Sequence, residues 1–321
     1  MRRLRWIAGG VLLLIAGLMT AISLLDRPLE SGPSTDPGMG TELPPAQPPA
    51  ALRFSVLVTS HSAGAPEPLV VAGGSWARYR RPVHAAVLVE HPRGTFLFDT
   101  GLGRDAEAQF AANAFLDALV FRFDPVDPVV EQLRRHGYPP QRVQWIVLSH
   151  LHWDHASGLP DFPGVPVWVP ESERAAAASG EPPAFLSSQY RGVKDWRTVR
   201  FEHGPILGFP RSQDVFGDGS VVLVPLAGHT PGHTGMLLTL ADGSRYLFTG
   251  DVTWTAEGVR LPADRSWLLR RMVHLDGSTE ENQAQILKLH RLHQAHPGLV
   301  IVPAHDEHVV STLPHFPPTR R

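Results

Sequence analysis

The stretch "SHLHWDHASG", residues 149–158, places three histidines and one aspartate within six residues. A single histidine in an apolar region is most often a hydrogen-bonded core residue. Three imidazoles this close together would repel one another if protonated, and would lack partners if neutral and buried. Imidazole and carboxylate groups are, by contrast, ordinary ligands of Zn²⁺. The pattern H-x-H-x-D-H therefore predicts a metal site.

The spacing within this stretch suggests two adjacent sites. The stretch begins at the end of the apolar run "VQWIVLSH", residues 143–150, which is typical of a buried strand. Residues i and i+2 of an extended segment project to the same side, so His150 and His152 can hold one ion together. Asp154 and His155 lie past the point where the strand must turn, so they face a neighbouring position. Each of the two sites needs further ligands.

Three other segments carry ligand-type residues at the ends of predicted strands. They are "PLAGHTPGHTG" at 225–235, "LFTGDVTW" at 247–254 and "IVPAHDEH" at 301–308. Functional groups gather at one edge of a sheet when several strands end in the same loop layer, so we expect one shared site. The candidates are His229, His233, Asp251, His305, Asp306 and His308. Taken singly, His233, Asp306 and His308 fit a supporting or surface role equally well.

Composition narrows the chemistry of this site. The chain has 321 residues, of which 43% are hydrophobic, enough for one large domain or two small ones. The net charge of −2 indicates no nucleic-acid partner. The sequence contains no cysteine, which excludes disulfides and thiolate ligands. A transition-metal site in this chain must therefore be built from imidazoles and carboxylates.

The N-terminal segment differs from the rest of the chain. Arginines occupy three of the first five positions, and an uncharged run follows from Trp6 to Leu25. A run of this length can span a bilayer as a helix. We therefore predict a transmembrane signal-anchor helix over residues 1–25, with the remaining chain on the extracytoplasmic side, periplasmic or extracellular. The alternative is a signal peptide cleaved near Ala21-Ile22-Ser23, which would release a secreted protein.

A linker and a single folded domain are predicted after this segment. Residues 26–51 hold seven prolines among Gly, Ser and Thr, and are interpreted as an extended linker. Short β-rich runs and amphipathic segments then alternate over the predicted domain, residues 52–321. The predicted strands are 52–60, 84–91, 95–101, 143–150, 165–170, 220–226, 234–240, 244–251 and 299–306. The predicted helices are 127–137, 171–179 and 278–298. This order favours a layered sheet domain with helices outside.

Two apolar segments, 102–126 and 254–276, show neither the helical nor the strand period of apolar residues clearly. Each is interpreted as a lid or pocket wall, or alternatively as ordinary core helix.

The ordered motifs resemble those of a known family. "FLFDTG", "HLHWDH", "GHTPGHT", "LFTGDV" and "PAHD" are similar to the signature of metallo-β-lactamase-fold hydrolases, over about residues 52–310. The resemblance implies an α/β fold, a four-layer αββα sandwich with a dinuclear metal site at one sheet edge. In the ligand set that it implies, His150, His152 and His229 hold the first ion, Asp154, His155 and His305 hold the second, and Asp251 bridges both. It also implies that Asp99 orients a ligand imidazole and that His233 is not a direct ligand.

The same resemblance implies a hydrolytic function. Two Zn²⁺ ions per chain, or Mn, Fe or Co on the same ligands, would hold a bridging hydroxide that attacks a small ester or lactone. Asp154 would take or return a proton. The motifs most resemble acyl-homoserine-lactone lactonases and glyoxalase-II-like enzymes. Thioesterase or phosphodiesterase activity and a non-catalytic metal-binding protein are the alternatives.

One position departs from the lactonase pattern. Those lactonases have a tyrosine three residues after the bridging aspartate, where this chain has Trp254. An indole N–H can donate a hydrogen bond, but it can neither ionise nor accept one. Trp254 is therefore expected beside the substrate, with a changed role.

Overall fold

The computed structural model describes residues 2–30, 43–111, 113–273 and 276–318. Its strands are β1 (Arg53–His61), β2 (Ala65–Pro66), β3 (Tyr79–Arg80), β4 (Val83–His91), β5 (Gly94–Phe98), β6 (Trp145–Val147), β7 (Val167–Val169), β8 (Trp196–Thr198), β9 (Gln213–Asp214), β10 (Val221–Pro225), β11 (Thr234–Thr239), β12 (Arg245–Phe248) and β13 (Leu299–Val302). Its helices are α1 (Arg2–Leu25), α2 (Ala106–Phe110), α3 (Phe115–Val120), α4 (Val129–Arg135), α5 (Trp153–Ala156), α6 (Glu171–Ser179), α7 (Ser187–Tyr190), α8 (Ala256–Arg260), α9 (Trp267–Met272), α10 (Thr279–Ala295) and α11 (Glu307–Ser311).

Two mixed sheets form the centre of the fold. The first has the order β1-β4-β5-β6-β7-β8, and the second has the order β13-β12-β11-β10-β9. Strands β5 to β8 run parallel in the first sheet, and β12 and β13 run parallel in the second. Parallel neighbours end at the same edge of a sheet. The segments that follow β5 and β6, and those that follow β12 and β13, therefore emerge together.

Alternation along the strands separates the core into layers. In β4, Val87 and Val89 face a cluster that also contains Leu223 and Met236 of the second sheet. The neighbouring residues of β4 point to the opposite face, as the two-residue period of a strand requires. The cluster between the sheets is thus the inner layer of a sandwich.

Helices cover the outer face of each sheet. Outside the first sheet, Leu88 packs in a cluster with Leu133 of α4. Outside the second sheet, Leu247 packs with Leu289 of α10. Helix α10 begins as predicted, because the Ser278 side chain accepts a hydrogen bond from Glu281 N. The layers follow the order helix, sheet, sheet, helix.

The strand that carries the opening motif is shorter than predicted. It was expected over residues 143–150 but ends at Val147. Beyond it, Ser149 N donates to the Asp99 carboxylate at 2.7 Å, and Ser149 O accepts from Thr234 N at 2.8 Å. Because these contacts replace regular strand pairing, the chain leaves the sheet before His150.

The last turn of α1 packs on the domain. Ile22 is buried, and Trp76 Nε1 donates to Ser23 Oγ at 3.0 Å. The Asp26 carboxylate accepts a hydrogen bond from Trp267 N at the start of α9. Over the residues that the structure describes, no helix is long and apolar enough to cross a membrane. The predicted transmembrane span, and the membrane contact expected from it, are therefore not supported.

The predicted linker lies against the domain wherever it is described. Leu29 and Leu43 pack against the apolar cluster outside the second sheet. Leu29 N donates to Pro262 O, and Gln47 N donates to Asp218 O, each at 2.7 Å. Residues 31–42 lie outside the described residues. The predicted domain boundaries stay a prediction.

Candidate metal centre

The opening motif changes direction in the middle. His150 lies in the irregular segment after β6, and His152 has extended dihedral angles, φ −68° and ψ 159°, as the residue that precedes α5. Asp154 and His155 lie in the first turn of that helix. One short segment therefore carries four candidate ligands, and the ring of His150 lies close to those of both His152 and His155, with centroids 4.5 and 4.1 Å apart.

A first group of candidate ligands consists of three buried imidazoles. Nitrogens of His150, His152 and His229 all lie within 4.8 Å of one another. His229 comes from the segment after β10, some distance along the chain. Burial, reinforced by neighbouring imidazoles, lowers the pKa of His150 and His152 well below the usual value. These side chains are therefore neutral near pH 7 with lone pairs available, which is the state that a metal ion requires.

A second group combines imidazoles with carboxylates. His305 Nε2 lies 3.0 Å from Asp251 Oδ1 and 3.3 Å from Asp154 Oδ2. His155 Nε2 lies 3.2 Å from the same Asp251 oxygen. Burial favours the neutral carboxyl, but the nearby His305 and His155 hold the pKa of Asp251 well below its usual range. Burial likewise opposes protonation of His155, yet the carboxylates of Asp154 and Asp251 raise its pKa well above the usual value.

Asp251 lies between the two groups. Its Oδ2 is 3.6 Å from His229 Nε2 of the first group, while its Oδ1 contacts both imidazoles of the second. The rings of His150 and His155 have centroids 4.1 Å apart, so the two groups are adjacent. This arrangement fits the bridging role that the resemblance implied.

Unpaired buried atoms show that this set of residues suits metal ions. Within the described chain, His150 Nε2, His155 Nε2, His229 Nε2 and Asp251 Oδ1 are buried without a hydrogen-bond partner. His155 Nε2 and Asp251 Oδ1 are close but are not aligned as a hydrogen bond. A buried polar atom left unpaired costs about 1–3 kcal/mol. Four such atoms around one space fit divalent ions that take nitrogen and oxygen ligands.

Asp99 supports the second group from behind. Its Oδ2 lies 2.9 Å from His155 Nδ1, and its Oδ1 accepts from Ser149 N. Asp99 has φ +60°, a left-handed conformation that is uncommon outside glycine. The turn after β5 thus directs this carboxylate onto the imidazole, as expected for an outer partner that fixes ring orientation.

Asp276 and Arg265 support the first group, and neither was predicted from the sequence. Asp276 Oδ1 lies 2.8 Å from His229 Nδ1 and accepts from Arg265 Nη1 at 3.0 Å. Burial would raise the pKa of Asp276, but Arg265 and His229 lower it to about 2. Both residues come from the segment 254–276, where no recognisable motif surrounds them.

His233 contacts the backbone of Asp251 rather than the space between the candidate ligands. Its Nδ1 lies 3.2 Å from Leu226 O, and its Nε2 accepts from Asp251 N at 3.1 Å. Burial, followed by the effect of nearby His229, lowers the pKa of His233 to about 3. Both ring nitrogens are therefore engaged by the backbone, which fits the expectation that His233 is not a ligand.

The remaining candidates in the last motif lie away from the ligand groups. The Asp306 side chain accepts from two backbone N–H groups at the start of α11 and lies 3.1 Å from Arg80 Nη2. The His308 side chain is 71% exposed. Asp306 therefore has a structural role, and His308 is a surface residue.

Trp254 contacts the metal centre directly. Its Nε1 donates to Asp251 Oδ2 at 2.9 Å, and the Arg265 guanidinium lies 5.3 Å from its ring centroid. The indole N–H is thus used by the bridging aspartate. This is a more specific role than the position beside the substrate that the sequence suggested.

Glu173 connects the two loops that carry the first group, and it belongs to none of the sequence motifs. Its Oε1 accepts from Leu151 N at 2.7 Å. Its Oε2 accepts from Thr230 Oγ1 at 2.6 Å and from Gly232 N at 3.1 Å. The carboxyl group is fully buried on α6. It therefore holds the loop of His150 and His152 against the loop of His229.

A cavity of about 320 Å³ opens over both groups. Its floor includes Asp154, Asp251 and His305. Apolar side chains in or next to α3 and α9 line its sides, namely Leu119, Val120, Phe121, Leu268, Leu269, Met272 and Val273. Parts of segments 102–126 and 254–276 thus form the wall of the pocket, which was one of the two interpretations of these segments. Another part of the first segment is core helix, since Phe110 packs on Trp153 with ring centroids 4.4 Å apart.

The fold and this centre agree with comparisons to known proteins. The sequence profile of the Metallo-beta-lactamase superfamily matches residues 79–305, well over half of the chain. The chain belongs to the metallo-beta-lactamase superfamily and is a metal-dependent hydrolase.

Individual proteins of known sequence or structure are also similar to this chain. A probable metallo-hydrolase of Mycobacterium tuberculosis is 33% identical over 239 residues, which cover 68% of this chain and 73% of the relative. The N-acyl homoserine lactonase AttM of Rhizobium radiobacter is 26% identical over 238 residues, covering 73% and 85% of the two chains. A solved N-acyl homoserine lactone hydrolase, with N-hexanoyl-L-homoserine at its catalytic metal center, has a TM-score of 0.62 and 20% identity, covering 82% and 97%. At that identity the structural likeness shows a shared fold.

Proposed function

We propose that the chain is a dinuclear zinc hydrolase that opens a lactone or a related small ester. The observation that carries this proposal is the cavity that joins the ligand groups to an apolar wall. At about 320 Å³ it is at the lower end of the range for small-molecule sites. The choice of a lactone is further supported by the sequence relative AttM, which is named as an N-acyl homoserine lactonase.

The walls of the cavity suit the acyl part of such a substrate. Leu119 and Phe121 contribute from one side, and Leu269 and Met272 contribute from the other. Burial of one methylene group contributes about 0.8 kcal/mol, or roughly fourfold in binding. KM is therefore expected to fall as the acyl chain lengthens, until the cavity is filled.

The residues of the chain itself provide the remaining chemistry. Two bound divalent ions would supply a Lewis acid and a water that ionises near neutral pH. Burial opposes ionisation of Asp154, but nearby imidazoles, His155 first among them, hold its pKa below the usual range. Its carboxylate lies on the cavity floor, where it can take a proton and return it to the leaving oxygen. Trp254 keeps the bridging carboxylate of Asp251 in place.

The test is a metal and substrate analysis of the full-length protein. We expect close to two metal ions per chain, loss of activity in chelator, and recovery on addition of Zn²⁺. Lactones with acyl chains of graded length should be hydrolysed faster than thioesters or phosphodiesters. His152→Ala should abolish turnover, whereas His308→Ala, which removes an exposed imidazole, should not. Activity retained with metal content near zero would refute the proposal, and a preference for thioesters or phosphodiesters would replace the substrate class.

We also propose that the hydrolase domain functions on the extracytoplasmic side. The support is the N-terminal sequence, where arginines precede the uncharged run from Trp6 to Leu25, as they do in a secretory signal segment. A reporter enzyme that is active only outside the cytoplasm, fused at the C terminus, should be active. A fusion that is active only with a cytoplasmic reporter would contradict this location.

A further inference from the structure

His84 is a buried histidine at the metal centre that lies outside the five motifs. It is the second residue of β4 and is 4% exposed. Alternation along β4 places it on the same face as Ala86, which packs in the outer cluster together with Ala156 of α5. Helix α5 carries two of the ligands. The strand geometry therefore turns the His84 side chain toward the second group.

The neighbours of His84 fix the orientation of its ring. Its Nε2 lies 3.2 Å from Ser62 Oγ, within hydrogen-bond distance. Its ring packs against Trp153 and His305, with centroids 5.6 and 5.3 Å apart. The pairing of β1 with β4 is irregular opposite this point, between Val58 and Ser60. Such irregularities often redirect side chains beside active sites.

The other nitrogen of His84 has the properties of a metal ligand. Nδ1 is buried and lies 3.2 Å from Asp154 Oδ2, yet the described residues offer it no aligned hydrogen bond. The ligand nitrogens of His150, His155 and His229 show the same pattern. His84, Asp154 and His305 each offer a ligand atom, and these atoms lie within 4.8 Å of one another. Metal-binding histidines typically engage their second nitrogen in a hydrogen bond, as His84 does with Ser62.

We propose that His84 is an additional ligand of the second metal ion and binds it through Nδ1. This inference rests on the two-metal function proposed above. The second position would then have five protein ligands, namely His84, His155, His305, Asp154 and the bridging Asp251. Structural zinc sites are almost always four-coordinate, whereas Mn²⁺, Fe²⁺ and Co²⁺ accept higher coordination. The additional imidazole would therefore allow such an ion, as well as Zn²⁺, to occupy the second position.

Proton NMR of the full-length protein loaded with Co²⁺ tests this assignment. Each histidine bound through one nitrogen carries a proton on the other, and the nearby paramagnetic ion shifts that proton far from the protein envelope. Six shifted N–H signals are expected in the wild type, one each from His84, His150, His152, His155, His229 and His305. His84→Leu and His84→Gln should each show five, and His308→Ala should show six.

Metal affinity gives a second measurement. In competition with a chelator, His84→Leu should bind the second equivalent of Co²⁺ on the order of 100-fold more weakly and the first equivalent as tightly as the wild type. The same number of shifted signals in His84→Leu, His84→Gln and the wild type, each with two Co²⁺ bound, would overturn the role of His84 and leave the two-metal proposal intact. Less than two Co²⁺ per chain would instead contradict the proposed function. His84→Gln keeps a polar side chain at this position, so the comparison can still be made if His84→Leu fails to fold.

Discussion

Replacing Glu173 by glutamine should weaken the loop connection behind the first metal position. The carboxylate accepts one hydrogen bond on Oε1, from Leu151 N, and two on Oε2, from Thr230 and Gly232. An amide offers one oxygen and one NH₂ group. In Glu173→Gln the NH₂ group must therefore face at least one of these donors, whichever way the amide is turned.

The size of the effect follows from the number of hydrogen bonds lost. If the amide oxygen takes the Thr230 and Gly232 donors, Leu151 N–H is left facing NH₂. A hydrogen bond to a charged group contributes about 1.5–3 kcal/mol, and a buried donor without a partner costs about 1–3 kcal/mol. The two figures describe the same lost interaction and are not added. We therefore expect the free energy of unfolding of the metal-free protein to fall by about 2–3 kcal/mol. The loop that carries His150 and His152 should also hold its metal roughly tenfold less tightly.

Urea unfolding in the presence of chelator, followed by metal competition, measures both effects. Glu171→Gln is the matched control, since Glu171 lies in the same helix but is exposed. Its unfolding free energy should change by less than about 0.5 kcal/mol. If Glu173→Gln behaved like this control in both assays, the connection of the two loops through Glu173 would be wrong.

Three further substitutions test residues that hold the candidate ligands in position. Asp276→Asn should weaken metal binding on the order of 10- to 100-fold in a chelator competition, because His229 loses its carboxylate partner. Trp254→Phe keeps the ring but removes the donor to Asp251, and should lower kcat roughly tenfold in a steady-state assay with little change in KM. Burial lowers the pKa of His233 from its usual range to about 3. As the pH drops from about 6.5 toward 3, His233 is therefore protonated in the unfolded chain but not in the folded one, and the free energy of unfolding falls. Between pH 7.5 and 5 the metal-free wild type should therefore lose about 2 kcal/mol more unfolding free energy than His233→Gln, as measured in urea at each pH.

The gathering of the candidate ligands at one place was predictable because each of these residues belongs to a local pattern. His150 and His152 alternate along an extended segment, and Asp251 and His305 each follow an apolar run that forms a strand. Parallel pairing of β12 with β13 then brings these two strand ends together. Periodicity and strand ends are sequence-local features, so reasoning from the sequence could place the residues at a common edge.

The supporting residues could not be predicted in this way. Glu173 appears in the sequence as one charged residue in the helical segment "ESERAAAAS", and its hydrogen bonds go to loops 22 and 57 residues away. Arg265 and Asp276 come from a segment without clear periodicity. His84 begins a strand, where a lone histidine is most simply read as a core residue. Their roles follow from tertiary contacts that no local pattern encodes.

The two metal positions differ in charge, and this difference links the second one to protons. Burial and neighbouring imidazoles lower the pKa of His150, so the first position presents neutral nitrogens. At the second position burial opposes protonation, but the carboxylates of Asp251 and Asp154 raise the pKa of His305. An ion that binds His305 would therefore compete with a proton more strongly than an ion that binds His150. The same carboxylates that would attract a second ion thus also favour the protons that would compete with it, so we expect occupancy of the second position to depend more strongly on pH than that of the first.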